Sequence, residues 1–215
     1  MSKLLVRSFS MSLDGYAAGP RQDLDNPLGV GGARLHEWVF ATRSGSQMIG
    51  VEGGNEGLDD EFFSKRASGV GATIMGRNMF GPLRGPWGES EWTGWWGDNP
   101  PFHHPVFVLT HHPRPPIEMQ GGTTFHFVDG GIEAALAAAL EAASQRDVLV
   151  GGGAATIRQY LRAALIDDMH LAIVPVLLGS GERLFEDVGS SINDYQCVEH
   201  VCSPAVTHVR ILRTG

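Results

Sequence analysis

The chain has 215 residues, 42% of them hydrophobic, a length that suits one domain and apolar content enough for a sizeable core. A formal net charge of −8 and an isoelectric point near 5.5 argue against a nucleic-acid surface, which needs a basic patch, although a local cluster can still receive a small anion. No apolar run is long enough to span a membrane, and the opening "MSKLLVRSFSMSLDGY" lacks the layout of a secretory leader, because Asp14 soon follows a short apolar stretch.

Lys3 to Phe9 read as a first strand, followed by the turn-rich "SMSLDGYAAGP". An irregular, glycine-rich stretch of about 20–57 holds one short helix, around Ala33 to Ala41. "LDDEFFSKRASG" reads as a helix with acids in its first turn and basic residues in its last, an order that complements the helix dipole. "ATIMG" is a second strand, and "RNMF" opens another helix. A second irregular stretch, about 81–105, carries Trp87, Trp92, Trp95 and Trp96, four of the five tryptophans. Loops this long inside a compact domain are usually functional or disordered, and the aromatic density argues against disorder.

Val106 to Thr110 and "TTFHFV" are the third and fourth strands, and "IEAALAAALEAAS" is a helix rich in Ala and Leu. "DVLV", from Asp147, is a fifth strand that feeds three glycines and then a helix with Ile157, Leu161 and Leu165 on one stripe. "DMHLAIVPVLL" is a sixth strand, with Pro175 suggesting an edge or a bulge. "DYQCVEHVCSP" and "AVTHVRILR" close the chain as an antiparallel pair. Eight strands alternating with helices predict an α/β fold, a mostly parallel sheet with an antiparallel C-terminal edge and helices on both faces. No repeat or charge block marks a boundary, so residues 1–215 read as one domain. Cys197 and Cys202 lie an odd number of residues apart on one predicted strand. That spacing puts them on opposite faces, disfavours a disulfide and fits a reducing cytoplasm.

Several chemistries fit poorly. His103-His104 and His111-His112 point to opposite sides in extended segments, and no H-E-x-x-H or C-x-x-C is present, so no metal site is expected. There is no G-x-S-x-G, and Ser180 sits in a glycine-rich turn. Gly151 and Gly153 match the start of a dinucleotide fingerprint, but Thr156 takes the third glycine's place and the next strand ends without an acid. Four other stretches agree better with one another. "SLDGYAAG", "IMGRNMF", "VLTHHP" and "VGGGAATIRQYL" each follow a strand, at the edge where open α/β sheets bind ligands. Helix starts and Arg77 suit phosphates, and the spread implies an extended nucleotide.

Those stretches, together with "IDDMHLAIVPVLLGSGERLF", resemble the dihydrofolate reductase superfamily, most closely its branch of C-terminal reductase domains from riboflavin-biosynthesis deaminase-reductases. The resemblance implies an eight-stranded sheet, a bound NADPH and a homodimer. Ser10, Asp14 and Ala17 would edge the nicotinamide; Gly76, Arg77, Asn78 and Met79 would grip the pyrophosphate and 2′-phosphate. Leu109, Thr110 and His111 would take the adenosine side. Val150, Gly151, Gly152, Gly153, Ala154, Ala155 and Thr156 would form the glycine turn beside the pyrophosphate. No H-x-E with P-C-x-x-C supplies a deaminase half, so the expected activity is reduction alone.

The implied function is hydride transfer from NADPH to a small heterocycle, such as a phosphoribosylamino-pyrimidine, or else a pterin, a folate or another carbonyl compound. A non-catalytic nucleotide-binding protein is the alternative. Reading back without gaps from "TIMGR" puts Asp60 where folate reductases carry a carboxylate, while Asp59 and Asp60 also read as ordinary first-turn acids. Asp14 is the other candidate catalytic acid. Trp92 and Trp96 are candidates to line a substrate pocket. Arg183 would meet a substrate phosphate or pair with Glu182 or Glu186 on the surface.

Overall fold

A computed structural model describes residues 2–88 and 91–214. Its strands are β1 (Leu4–Ser12), β2 (Tyr16–Ala18), β3 (Val70–Gly76), β4 (Pro105–Leu109), β5 (Ile117–Glu118) and β6 (Thr124–Val128). They continue with β7 (Asp147–Gly152), β8 (Asp168–Val174), β9 (Glu182–Arg183), β10 (Tyr195–Cys202) and β11 (Thr207–Arg213). Nine of them form one sheet in the order β10-β11-β8-β1-β7-β3-β4-β6-β5, while β2 and β9 pair separately. The six strands from β8 to β6 run parallel; β11, β10 and β5 are antiparallel. The sheet is thus the mostly parallel one expected, with one more strand than the eight read from the sequence. The addition, β5, is two residues long, too short to leave a pattern.

The parallel strands are apolar throughout because both faces are covered. All seven residues of β3 are buried. Ile74 packs with Leu4, Val6, Val148 and Val150 on one face, and Met75 with Val106 and Val108 on the other. The first face is closed by α5 (Gly131–Ala143) and α6 (Ala154–Arg162). Helix α5 turns Ala135, Ala139 and Ala143 inward at a spacing of four, which keeps one face in register with the strands. Small side chains allow close approach. A Cβ on Gly71 of β3 would meet the backbone of Ala143.

The opposite face is covered by two unlike coats. One is a 3₁₀ turn (Gly32–His36) running into α1 (Glu37–Phe40), with α2 (Arg43–Met48) and α3 (Leu58–Ser64) beside it; Leu35, Trp38, Val39 and Phe63 pack there on Ala172 and Val174. The other is the tryptophan-rich stretch after α4 (Arg77–Phe80). Trp87, Trp92 and Trp96 pack against Phe80, Val106, Val108 and Phe125. These tryptophans cover the chain's own sheet, so they do not themselves call for a second copy.

Three local expectations are revised. Pro175 follows β8 instead of interrupting it, and β8 lies inside the sheet between β1 and β11. The proline ends the strand because it has no N–H for the ladder. Strand β1 runs on to Ser12 through a bulge between Val6 and Phe9, where Ser8 has φ +52°. On β10 a bulge between Cys197 and Glu199 breaks the alternation. Cys197 and Cys202 then lie opposite Ile211 and Thr207, which are an even number apart on β11. Both cysteines are free and exposed. Among the described residues, no helix is long and apolar enough to cross a membrane, and no cluster of three potential metal ligands is present.

Candidate active site

The parallel strands point their C-terminal ends at one cavity of about 840 Å³. Ser8, Phe9 and Ser10 of β1, Gly76 of β3, Leu109 of β4, Val128 of β6, and Gly151 and Gly152 of β7 line it. Strand ends in such sheets are ligand sites because loops, not ladder partners, take over there.

The glycine turn occupies the middle of the cavity. Gly152 has φ +133°, and a Cβ on it would stand 3.3 Å from the Phe9 ring and 3.4 Å from the Met79 sulfur. The Gly152–Gly153 peptide is cis. A Cβ on Gly76 would run into the Thr156 hydroxyl, so the β3 and β7 turns are interlocked. Helix α6 begins just past these glycines, and its first N–H groups, at Ala154 and Ala155, have no acceptor within the helix. Both residues line the cavity.

One end of the cavity is cationic. The Arg77 guanidinium lies 3.0 Å over the Trp87 ring and donates to Thr110 Oγ1 at 3.3 Å and Gly85 O at 3.4 Å. Its Nε is buried without a partner. Burial, then the neighbouring charges of Arg114 and Arg84, lowers its pKa to about 10, so it stays charged near neutrality. Among the described residues none of the three arginines pairs with a carboxylate. Arg84 donates to the carbonyls of Gly81 and Pro82, and Arg114 to that of Trp92. The Trp87 indole, which donates to His112 O at 2.5 Å, holds the platform in place.

The other end has no arginine or lysine in its lining among the described residues. His36, Phe40, Met48 and Ile49 of the helical coat line it, with Leu28 and Gln22. His36 Nδ1 and Ser8 Oγ are buried there without partners. Burial, opposed by a hydrogen bond to the Gly32 main chain, lowers the His36 pKa to about 4, so its ring is uncharged at neutral pH. Ser8 is held from behind. Its N–H donates to His170 Nδ1 at 3.1 Å, which leaves His170 Nε2 to donate to His208 Nδ1 at 3.0 Å. His208 Nε2 in turn donates to Asp59 Oδ1 at 2.9 Å. The direction of the whole chain follows from the one backbone donor. Phe62 stacks on both histidines.

Of the expected cofactor residues, Ser10, Ala17, Gly76, Arg77, Asn78, Met79, Leu109, Thr110 and His111 line the cavity, as do Gly151, Gly152, Gly153, Ala154, Ala155 and Thr156. Val150 does not. Alternation along β7 sends its side chain into the core. Trp96 lines the cavity and Trp92 does not; the Trp92 indole donates to Phe80 O, and Trp95 lines the wall instead.

The two expected catalytic acids lie outside the lining. Asp60 Oδ1 accepts the Ser44 N–H at 2.7 Å, in the first turn of α2. The gapless reading places Asp60 in the first turn of α3, where it meets α2. Asp14 accepts from Ser12 Oγ at 2.6 Å and from the N–H groups of Leu178 and Gly179, tying the β1–β2 turn to the segment after β8. The Ser12 hydroxyl, against the cost of burial and with help from the Gly179 and Leu178 N–H groups, holds its pKa down at about 2. Arg183 donates to Asp14 O and to the Tyr16 hydroxyl and lies over the Tyr16 ring, while Arg158 takes Glu186 and Glu182. The sequence reading missed Ser8, His36, Arg84 and Trp87. Only Trp87 left a signal, its place in the aromatic stretch.

The comparisons agree with this architecture. The model of the RibD C-terminal domain matches residues 3–208. YyaP, an uncharacterized Bacillus subtilis protein, is 42% identical over 48 residues, which span 22% of this chain and about a quarter of YyaP. A Shewanella sp. PV-4 protein named for riboflavin biosynthesis superposes with a TM-score of 0.60 at 23% identity, over 99% of each chain. The Thermotoga maritima diaminohydroxyphosphoribosylaminopyrimidine deaminase/5-amino-6-(5-phosphoribosylamino)uracil reductase gives 0.56 at 15% identity, over 99% of this chain and 56% of its own. Enterococcus faecalis dihydrofolate reductase, complexed with NADP(H) and RAB-propyl, gives 0.52 at 13%, over 100% of this chain and 97% of that one. The fold is that of dihydrofolate reductase, and the chain belongs to the RibD C-terminal domain family.

Proposed function

We propose that the protein is an NADPH-dependent reductase of a small heterocyclic substrate. The family and the reductases among its structural neighbours support the reaction class. The observation that carries the cofactor is Arg77, a cation with an orphaned Nε and no carboxylate partner among the described residues, stacked on Trp87 at the end of a cavity lined by bare glycines. Arg77 is partly buried, and a guanidinium without a counter-ion there gains a charge-assisted partner from a 2′-phosphate, whose oxygens match its planar fork.

The cradle fits the rest of the cofactor. Gly151, Gly152 and Gly153 leave room for a pyrophosphate against backbone, and the first N–H groups of α6 are donors to it. Leu109, Thr110 and His111 would flank the adenosine. Ala17, with Ser10 and Phe9, would wall the nicotinamide. The bound cofactor would supply the hydride; the protein's part is orientation and exclusion of water. Ser10 is held for that by the Trp38 indole, which donates to its hydroxyl at 2.9 Å. We give Asp60 and Asp14 positions in the scaffold, not a proton-transfer role, because their oxygens are engaged outside the cavity.

Titration of NADPH and NADH into the protein and into Arg77→Ala tests the reading. The wild type should prefer NADPH and the variant should not. Equal affinity of the wild type for both cofactors would sink it, and NADPH binding without turnover on any carbonyl or heterocycle would favour a non-catalytic binder.

A further inference from the structure

The proposed reductase has two kinds of wall, and only one carries positive charge. Arg77 and Arg84 are the lysine or arginine side chains that line the cavity among the described residues, and both stand at the end assigned above to the cofactor. Beyond the glycine turn the wall is Leu28, His36, Phe40, Met48 and Ile49. Several guanidinium groups of neighbouring segments are engaged outside the cavity. Arg183 is held by Asp14 O and the Tyr16 hydroxyl, Arg158 by Arg183 O and Glu186, and Arg43 by Glu56. Arg66 lies behind Met48, donating to its sulfur at 2.8 Å and stacking on Phe63. The charged side chain that does reach the cavity beside Ala18 is an acid, Glu182.

We propose that the substrate is an uncharged, mainly apolar ring compound without a phosphate or carboxylate, seated against Phe40, Met48 and Ile49 and hydrogen-bonded by His36 Nδ1 and Ser8 Oγ. This rests on the NADPH-reductase reading and narrows its substrate. Phe40, Met48 and Ile49 are 44%, 37% and 53% exposed, so a ring laid on them removes apolar surface from water. His36 Nδ1 and Ser8 Oγ have no partner and are closed off from solvent, and a turn of either side chain toward the cavity its residue lines would let a ring amide or carbonyl complete it. The His170–His208–Asp59 chain fixes the Ser8 main chain through its N–H at the bulge of β1, at the edge of the cavity. A phosphate on the same wall would lose its water, meet no cation and face Glu182. The phosphoribosyl group named for the Thermotoga relative's substrate therefore has no seat here.

Three matched probe pairs test this: uridine and its 5′-phosphate, pyridoxine and its 5′-phosphate, riboflavin and its 5′-phosphate. Each is titrated calorimetrically into protein already saturated with NADP⁺, so the cofactor's phosphate sites are filled. Saturation by NADP⁺ is itself measured first, and its failure would defeat the cofactor reading and not the substrate class. The expected result is that at least one uncharged member binds, and binds tenfold or more tightly than its phosphate. Tighter binding of any phosphorylated member, or no binding by any uncharged member, overturns the proposal. Ile49→Arg puts a cation on the wall at an exposed position where folding is not at stake. It should reduce the preference at least tenfold toward the phosphorylated mate; an unchanged preference would overturn the placement of the substrate on this wall.

Discussion

The two ends of the cavity are built from the chain's two irregular stretches, and they are held by different forces. The tryptophan-rich stretch is held by rings. Trp87 meets Phe80 and Phe127, Trp96 meets Phe102, and two indole N–H groups reach main-chain carbonyls. Rings give a rigid platform on which a cation can lie, and Arg77 uses it. The stretch of about 20–57 is anchored on the sheet by Leu35, Trp38 and Val39, and its outer part is held by backbone and caps. Thr42 Oγ1 accepts the Gly45 N–H, Asp60 accepts the Ser44 N–H, and Asn55 bonds Ala41 and Arg43 through its main chain. Its outer side chains are left free to face the cavity, and they are apolar or neutral. One end is thus shaped to hold a fixed anion, the other to accept a ring.

The sharpest way to break this division is at its centre. Gly152→Val should abolish NADPH binding while the chain still folds. At φ +133° a valine is strained by about 1–3 kcal/mol, and its side chain enters the space between Phe9 and Met79 where backbone must meet the cofactor. Cofactor fluorescence and circular dichroism on one sample separate lost binding from lost fold; retained affinity would show that the turn does not touch the cofactor.

At the cationic end, Arg77→Ala should lower NADPH affinity by roughly 10- to 100-fold, the range for about 1.5–3 kcal/mol of charge-assisted bonding, and leave NADH affinity nearly unchanged. Because burial brings Arg77 down only to about 10, its preference for NADPH should persist to pH 9. A preference already lost at pH 8 would move the 2′-phosphate to another group.

The end lined by His36 should answer to acid instead. Burial lowers His36 and His170 to about 4, against 6.5 for an ordinary histidine, with His208 also disfavouring the charged His170. Between those values the unfolded chain binds protons that the folded one refuses, so stability falls as pH falls from 6.5 towards 4. Protonation of His170 also places a second donor against the Ser8 N–H. Thermal melts across that window should show a steady loss. A flat profile would mean that the histidine chain is open in solution.

The smallest effect expected is at Asp60. Asp60→Asn should cost about 0.3–1 kcal/mol, the worth of an acid at a helix start, and leave turnover on any substrate found intact. A fall in kcat/KM of tenfold or more would return Asp60 to the site and remove the assignment of this wall to His36 and Ser8.

Much of this arrangement is legible in the sequence by itself. Apolar runs of strand length, Gly151 to Gly153 at the end of one of them, and acids in the first turn of α3 are local signals, each set by neighbours a few residues away. They determine the order of elements, the parallel sheet and the residues that end at its C-terminal edge. Direction is another matter. Asp60 sits where a family pattern places a carboxylate, yet its oxygen turns to Ser44 because α2 is packed there. His36 leaves no mark among nine histidines until the fold brings it to the same cavity as Ser8, Phe40 and Ile49. Arg77 was visible at a strand end, but its ring platform comes from Trp87, ten residues on and across an irregular loop. Periodicity reports which face of an element is apolar; which neighbour meets the polar face depends on contacts between distant segments, and those exist only once the sheet has brought them together.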